Sequence, residues 1–341
     1  MQTLPVHPLD LEPFLLGDAE DRLAVAASLD AACRDTGFLQ VTGHGVPLDL
    51  CDRVLGAFAE FFDLPLAEKL AVVAADETAN RGYTEPGKEG LAYSRGQETP
   101  TDLFEAFNVG GEETVGEYYD AHRSYFAPNL WPARPAGLRD TWSEYERAVD
   151  ALAQSLLEVM ALALGMPEGW FREQLHHPII TTRAINYERR AGSPDPIEGQ
   201  MRMGAHTDYG VLTILLADDV PGLQVFTGGA WRDIPVPRGA FMCNIGDMLH
   251  RWTNDRWTST LHRVVPPPAS IDGPVRRRSL ARFFDCPPDL VVETIPSCTG
   301  PGNPSNYEPV VAGEWLHQKL LGSRTLAQPD LPSDPRTAEA V

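Results

Sequence analysis

From Pro178 onward the chain breaks into short runs, and this most restricts what it can fold into. Thr181–Tyr187, Gln200–His206, Val211–Leu216, Gly222–Phe226, Trp231–Ile234, Phe241–Ile245, Leu261–Val265 and Arg278–Phe284 are all strand-length. Turn residues such as Pro221-Gly222, Gly228-Gly229 and Pro237-Arg238-Gly239 punctuate them. Many short strands at even spacing argue for a sandwich or jelly-roll barrel.

The first half has a different texture. Apolar residues recur at helical spacing over 19–36 and 48–63, a short third helix runs from Pro65 to about Val72, and another covers roughly 167–176. The clearest helix is 140–164, where Trp142, Tyr145, Val149, Leu152, Leu156, Val159 and Ala163 make one stripe that ends at Gly165 and Pro167. Such a stripe supports a sheet and carries no chemistry of its own. Residues 1–17 read as one edge strand broken by prolines, and 313–322 as a last helix. Between 75 and 135 the chain is rich in Gly, Pro and polar residues, as a substrate-selecting lid would be, or irregular packing over the core. The expected architecture is mainly β with framing helices (α+β), built on a double-stranded β-helix, or jelly-roll, core. One domain spans 1–327, with helical framing over about 1–177 and the jelly roll over about 178–290; 328–341 read as a disordered tail.

Composition bounds the partners. A formal charge of −20, from 28 basic and 48 acidic residues, repels phosphate backbones and anionic membranes, so neither nucleic acid nor a membrane is expected as partner. Five cysteines without a Cys-x-x-Cys pair, and no basic-then-apolar leader, point to reduced thiols in the cytoplasm. Nothing in the chain assigns an oligomeric state.

The chemistry is concentrated in two places. In Gly204-Ala205-His206-Thr207-Asp208, residues i and i+2 of a strand share a side, so His206 and Asp208 can face a barrel interior while Thr207 faces away. Alone this reads more readily as a core histidine bonded to a neighbouring carboxylate. With His262, at the head of a later strand, it becomes two imidazoles and one carboxylate, a set that holds a non-haem Fe(II) and leaves one metal face open. In Arg276-Arg277-Arg278-Ser279-Leu280-Ala281-Arg282-Phe283-Phe284, alternation puts Arg277, Ser279, Ala281 and Phe283 on one side and Arg278, Leu280 and Arg282 on the other. A guanidinium and a hydroxyl side by side inside a barrel would bind a carboxylate. His44, His176-His177 and Asp247 read as turn, cap or surface residues.

These motifs, in this order, resemble the isopenicillin-N-synthase-like group of Fe(II)/2-oxoglutarate-dependent oxygenases. Further carriers are Asp35-Thr36-Gly37-Phe38, Arg183-Ala184-Ile185-Asn186-Tyr187, Asn244-Ile245-Gly246-Asp247 and His262-Arg263-Val264, and the likeness covers about 5–320. One departure is Glu188-Arg189, where many members have an aromatic and a proline. The resemblance implies an enzyme that oxidises a small organic molecule, by hydroxylation or a related two-electron oxidation, while O2 and 2-oxoglutarate are consumed and succinate and CO2 released. It implies His206, Asp208 and His262 as iron ligands, Arg277 and Ser279 as the seat of the distal carboxylate of 2-oxoglutarate, and Tyr187 and Asn186 as further cosubstrate contacts. Phe283 would lie near the primary substrate, with Tyr93 and Phe107 as candidates from the region around the barrel mouth. Alternatives are an oxidase without 2-oxoglutarate, in which Arg277 and Ser279 bind a substrate carboxylate, an ethylene-forming fragmentation of 2-oxoglutarate, and a non-catalytic ligand-binding jelly roll.

Overall fold

Two sheets lie on either side of one cavity, and the His206/Asp208/His262 and Arg277/Ser279 motifs fall on a strand of one or the other or just past its end. The structure, a computed structural model, describes residues 6–76, 79–95, 97–112, 114–189, 196–266 and 275–325. The expected tail 328–341 lies outside the described residues.

In chain order, the first elements are β1 (His7–Asp10), α1 (Glu12–Leu16), α2 (Ala19–Asp35), β2 (Phe38–Thr42), α3 (Leu48–Phe62) and α4 (Leu66–Leu70). Asp18 opens α2 with a reciprocal capping box to Asp21, a start signal legible in the sequence. Next come β3 (Gly82–Thr84), a 3-10 turn (Leu91–Arg95), β4 (Glu105–Gly110), α5 (Glu117–Ala121), α6 (Leu138–Ala163) and α7 (Trp170–Gln174). The second half supplies β5 (Ile179–Arg189), β6 (Met203–His206), β7 (Leu212–Ala217), β8 (Leu223–Thr227), β9 (Ala230–Asp233), β10 (Phe241–Ile245), α8 (Asp247–Trp252), β11 (His262–Val264) and β12 (Val275–Asp285). A small ribbon of β13 (Val291–Val292) and β14 (Val310–Val311) precedes α9 (Ala312–Thr325).

The larger sheet has the order β1-β2-β10-β7-β12-β5-β4-β3, the smaller β6-β11-β8-β9. All eight expected strands after Pro178 are present. The framing before residue 178 is helical with strands at the sheet margins: β1, within the expected edge strand, and β2 extend one side of the larger sheet, and β4 and β3 the other. The central strands would otherwise expose unpaired N–H and C=O groups along both edges. The stripe of α6 is buried at Trp142, Tyr145, Val149, Leu152, Leu156 and Val159, and it packs with α2 and α3 behind the larger sheet. The other face of that sheet looks into the cavity.

Candidate active site

Strand pairing, not chain proximity, assembles the site. β6 and β11 run antiparallel with His206 directly opposite His262, which sets their ring centroids 4.3 Å apart. Asp208 follows β6 by two residues, and its Oδ1 lies 3.8 Å from His206 Nε2 and 3.7 Å from His262 Nε2. All three side chains are buried, and their ligand-type atoms lie within 4.8 Å of one another.

The surroundings hold each donor in one state. His206 Nδ1 lies 2.7 Å from the Gly204 carbonyl and His262 Nδ1 3.1 Å from that of Thr260, so each ring donates from Nδ1 and turns an Nε2 lone pair inward. Burial and the adjacent His262 push His206 down to about 3, so its ring is neutral near pH 7. Asn244 on β10 donates to Asp208 Oδ2 at 2.6 Å, which leaves Oδ1 toward the histidines. Phe38 stands edge-on to His262 at 5.5 Å. Thr207 faces away, as alternation requires, and donates to Asp247 Oδ2 at 3.0 Å. This arrangement suits a divalent cation: two imidazoles and a carboxylate converge, and their second atoms are already occupied.

One stretch of the same cavity holds a buried guanidinium. Arg277, Ser279, Ala281, Phe283 and Asp285 of β12 all line it, on one side of the strand. Arg277 is 2 % exposed; its Nη1 donates to Ser279 Oγ at 3.3 Å, and its Nε finds no partner. Among the described residues no carboxylate pairs with it. Tyr187 lies opposite Arg277 in the β5–β12 register, with the guanidinium 5.3 Å from its ring centre. A buried cation left this way requires an anionic ligand. Arg202, also buried, lies close enough that Arg277 helps lower it to about 10, after the larger effect of its own burial. The cavity has a volume of about 320 Å³, within the range of small-ligand pockets.

Three expected contacts are corrected. Asn186 is adjacent to Tyr187 in β5 and therefore faces the helices; its amide donates to Glu105 Oε1 at 2.8 Å and its carbonyl accepts from Arg276 Nε at 2.7 Å. Phe107 faces the same way from β4, packed against Phe58, Phe61 and Trp131. Tyr93 does not line the cavity; Leu91, two positions earlier in the 3-10 turn, does. That turn has three residues per revolution, so positions two apart cannot share a face. Of the side residues set aside earlier, His44 bonds the Gly239 carbonyl and His177 stacks on Tyr118. Asp247 is no simple turn residue: it opens α8, is 1 % exposed, and accepts from Thr207, Ser259 and Lys319.

Sequence reasoning gave no role to Asn244, to the Glu89–Arg183 ion pair at 2.7 Å inside the cavity, or to Asp285. Parity alone would have found Asp285, since it continues the series Arg277, Ser279, Ala281, Phe283. Burial, then the nearby Asp208 carboxylate, push Asp285 up to about 7.

Comparison with known proteins decides the class. Residues 181–285 match the 2OG-Fe(II) oxygenase superfamily, and 5–134 match the N-terminal region described for the non-haem dioxygenase in morphine synthesis. A 2-oxoglutarate-Fe(II) type oxidoreductase of Emericella nidulans is 34% identical over 313 residues, 90% of this chain and 87% of that one. This chain is a member of the Fe(II)/2-oxoglutarate-dependent oxygenases. Another member, a homoarginine-6-hydroxylase of Oryza sativa subsp. japonica, is 35% identical over 315 residues, covering 91% of this chain and 92% of its own. The crystal structure of full-length Neurospora crassa T7H with alpha-KG and thymine superposes with a TM-score of 0.80 at 29% identity, over 92% of this chain and 95% of that one. The oxygenase accordingly has the double-stranded β-helix fold of its structural neighbours, uses Fe(II) and 2-oxoglutarate, and couples oxidation of an organic molecule to decarboxylation of 2-oxoglutarate.

Proposed function

We propose that His206, Asp208 and His262 hold the iron, that Arg277, Ser279 and Tyr187 seat the distal carboxylate of 2-oxoglutarate, and that a small organic substrate occupies the rest of the cavity beside Phe283. The observation that carries this reading is that one cavity joins the triad to a buried guanidinium with no carboxylate partner among the described residues. Bound there, iron and 2-oxoglutarate supply a two-electron oxidation of a C–H bond with O2, yielding succinate and CO2.

The chain's own groups do the positioning. The Gly204 and Thr260 carbonyls keep both imidazoles turned Nε2-inward, and Asn244 keeps Asp208 from rotating. Met203, Leu215, Leu223 and Val264 sheathe the cavity with apolar surface and exclude water around the anion seat. The relatives act on or bind small molecules, homoarginine and thymine among them, which supports a substrate of that size here. Five free, buried cysteines support a reducing, cytoplasmic setting, and a core running from Leu9 to Ala312 supports one folding unit across 1–327. Among the described residues no helix is long and apolar enough to cross a membrane.

The test is anaerobic titration of Fe(II) and 2-oxoglutarate, followed through the visible charge-transfer band of the chelate. Wild type should show the band and His206→Ala should not retain iron. Arg277→Leu should weaken 2-oxoglutarate binding by roughly 10- to 100-fold, the worth of hydrogen bonds to a charged group. Iron binding without any band would overturn the cosubstrate assignment.

A further inference from the structure

Asp285 stands apart from the other carboxylates on the cavity wall. It is 8 % exposed, lines the cavity on the same side of β12 as Arg277, and its carboxylate takes part in no hydrogen bond or ion pair with any described residue. The other carboxylates of the cavity are engaged: Asp208 accepts from Asn244, and Glu89 is bound by Arg183. The nearby cations are engaged too, Arg183 with Glu89 and Arg81 with the carbonyls of Ala127, Asn80 and Tyr125. None of them answers the charge of Asp285.

The backbone makes room for this carboxylate. A Cβ on Gly210 would lie 1.5 Å from Asp285 Oδ1, so any other residue at 210 would displace it. Gly210 does not adopt a left-handed φ, so its lack of a side chain serves space and not conformation. Eight residues separate Asp285 from Arg277 along one strand, roughly 25 Å at about 3.3 Å per residue. Asp285 borders Gly210, two residues past Asp208, and lies at the end of β12 remote from Arg277. Phe283 separates it from Ala281 on the same face, and the phenol rings of Tyr125 and Tyr209 line this end of the cavity.

An isolated carboxylate in such a place is unfavourable unless a cation meets it. We propose that Asp285 is a specificity-determining residue that binds a cationic nitrogen of the primary substrate, a protonated amine or guanidinium, whose alkyl portion lies along Phe283 toward the iron. Aromatic rings beside such a cation add to its binding. This inference rests on the reading of the cavity given under Proposed function.

The test uses matched probes that differ in charge. The Fe(II)- and 2-oxoglutarate-loaded enzyme is titrated anaerobically by calorimetry with n-butylammonium, n-butylguanidinium and the neutral isostere n-butylurea. In wild type the cations should bind about tenfold or more tightly than the urea, as expected for a desolvated charge-assisted contact. In Asp285→Asn the difference should shrink to within about twofold of parity, with Asp285→Ser as a second neutral variant should the amide misfold. Equal affinity of cation and urea for wild type, including no measurable binding of either, overturns the proposal. So does a cation preference that survives in a folded neutral variant. The chelate band is recorded first: its absence from wild type overturns the iron and cosubstrate assignments, whereas the charge preference is read from the titrations alone.

Discussion

At the scale of single residues, the site is a set of buried polar atoms whose second valences are occupied. His206 and His262 each spend Nδ1 on a backbone carbonyl, and Asp208 spends Oδ2 on Asn244. Asp285 is the contrast, a carboxyl with no such partner, and its burial has a consequence for stability. Its folded value near 7 exceeds the ordinary carboxyl value near 3.9, so between about pH 4 and 7 the folded state keeps a proton that the unfolded chain has lost. Stability from this group is greatest below about pH 4, declines as pH rises, and the full penalty is in place above about pH 7. Asp285→Asn should therefore raise the Tm of the metal-free enzyme at pH 8, with the gain fading toward pH 4; thermal melts across that range check it. Equal Tm values at pH 8 would contradict the burial argument.

At the scale of elements, alternation along strands sorts chemistry from support. On β5 the odd positions Thr181, Arg183, Ile185 and Tyr187 line the cavity, while Asn186 joins a polar cluster behind the sheet. The centre of that cluster is Glu105 of β4, which binds Lys69 of α4 at 2.6 Å, Tyr83 of β3 at 2.6 Å and Asn186 of β5 at 2.8 Å. Both Lys69 and Glu105 are buried, so removal of one partner leaves an uncompensated charge. Lys69→Met should lower unfolding free energy by about 3 kcal/mol, measured by denaturant titration, and Glu105→Gln added to it should recover part of the loss. The cluster holds β4 and β3 on the sheet and touches no cavity atom, so the chelate band should be unaffected in the folded fraction.

For the whole molecule, α9 closes one part of the cavity with Leu316, His317 and Leu320. It is held there by Lys319, whose Nζ lies 3.0 Å from Asp247 Oδ2, and Asp247 in turn donates its backbone N–H to the Asp208 carbonyl at 2.8 Å. The last helix is thus tied through α8 to the triad. Lys319→Met should loosen α9 without dismantling the sheets: limited proteolysis within 312–325 should accelerate, while the iron–2-oxoglutarate band persists. Simultaneous loss of both would show that α9 is integral to the fold and not a closing element.

Much of this was legible in the residues themselves. The strand-rich second half, the long helix α6, the triad and the parity that turns Arg277 and Ser279 inward follow from period and residue type, which are local properties of the chain. The same parity would have excluded Asn186 beside Tyr187 and included Asp285. What the sequence could not decide depends on pairing between distant segments. That His206 faces His262 is a matter of β6–β11 register, and that β1 to β4 complete the larger sheet depends on which edges the central strands leave open. Whether Phe107 or Leu91 reaches the cavity turns on the face each element presents after docking. The composition of the site is thus written in local sequence, but its completeness, including one carboxylate left without a partner, is a property of the packed molecule.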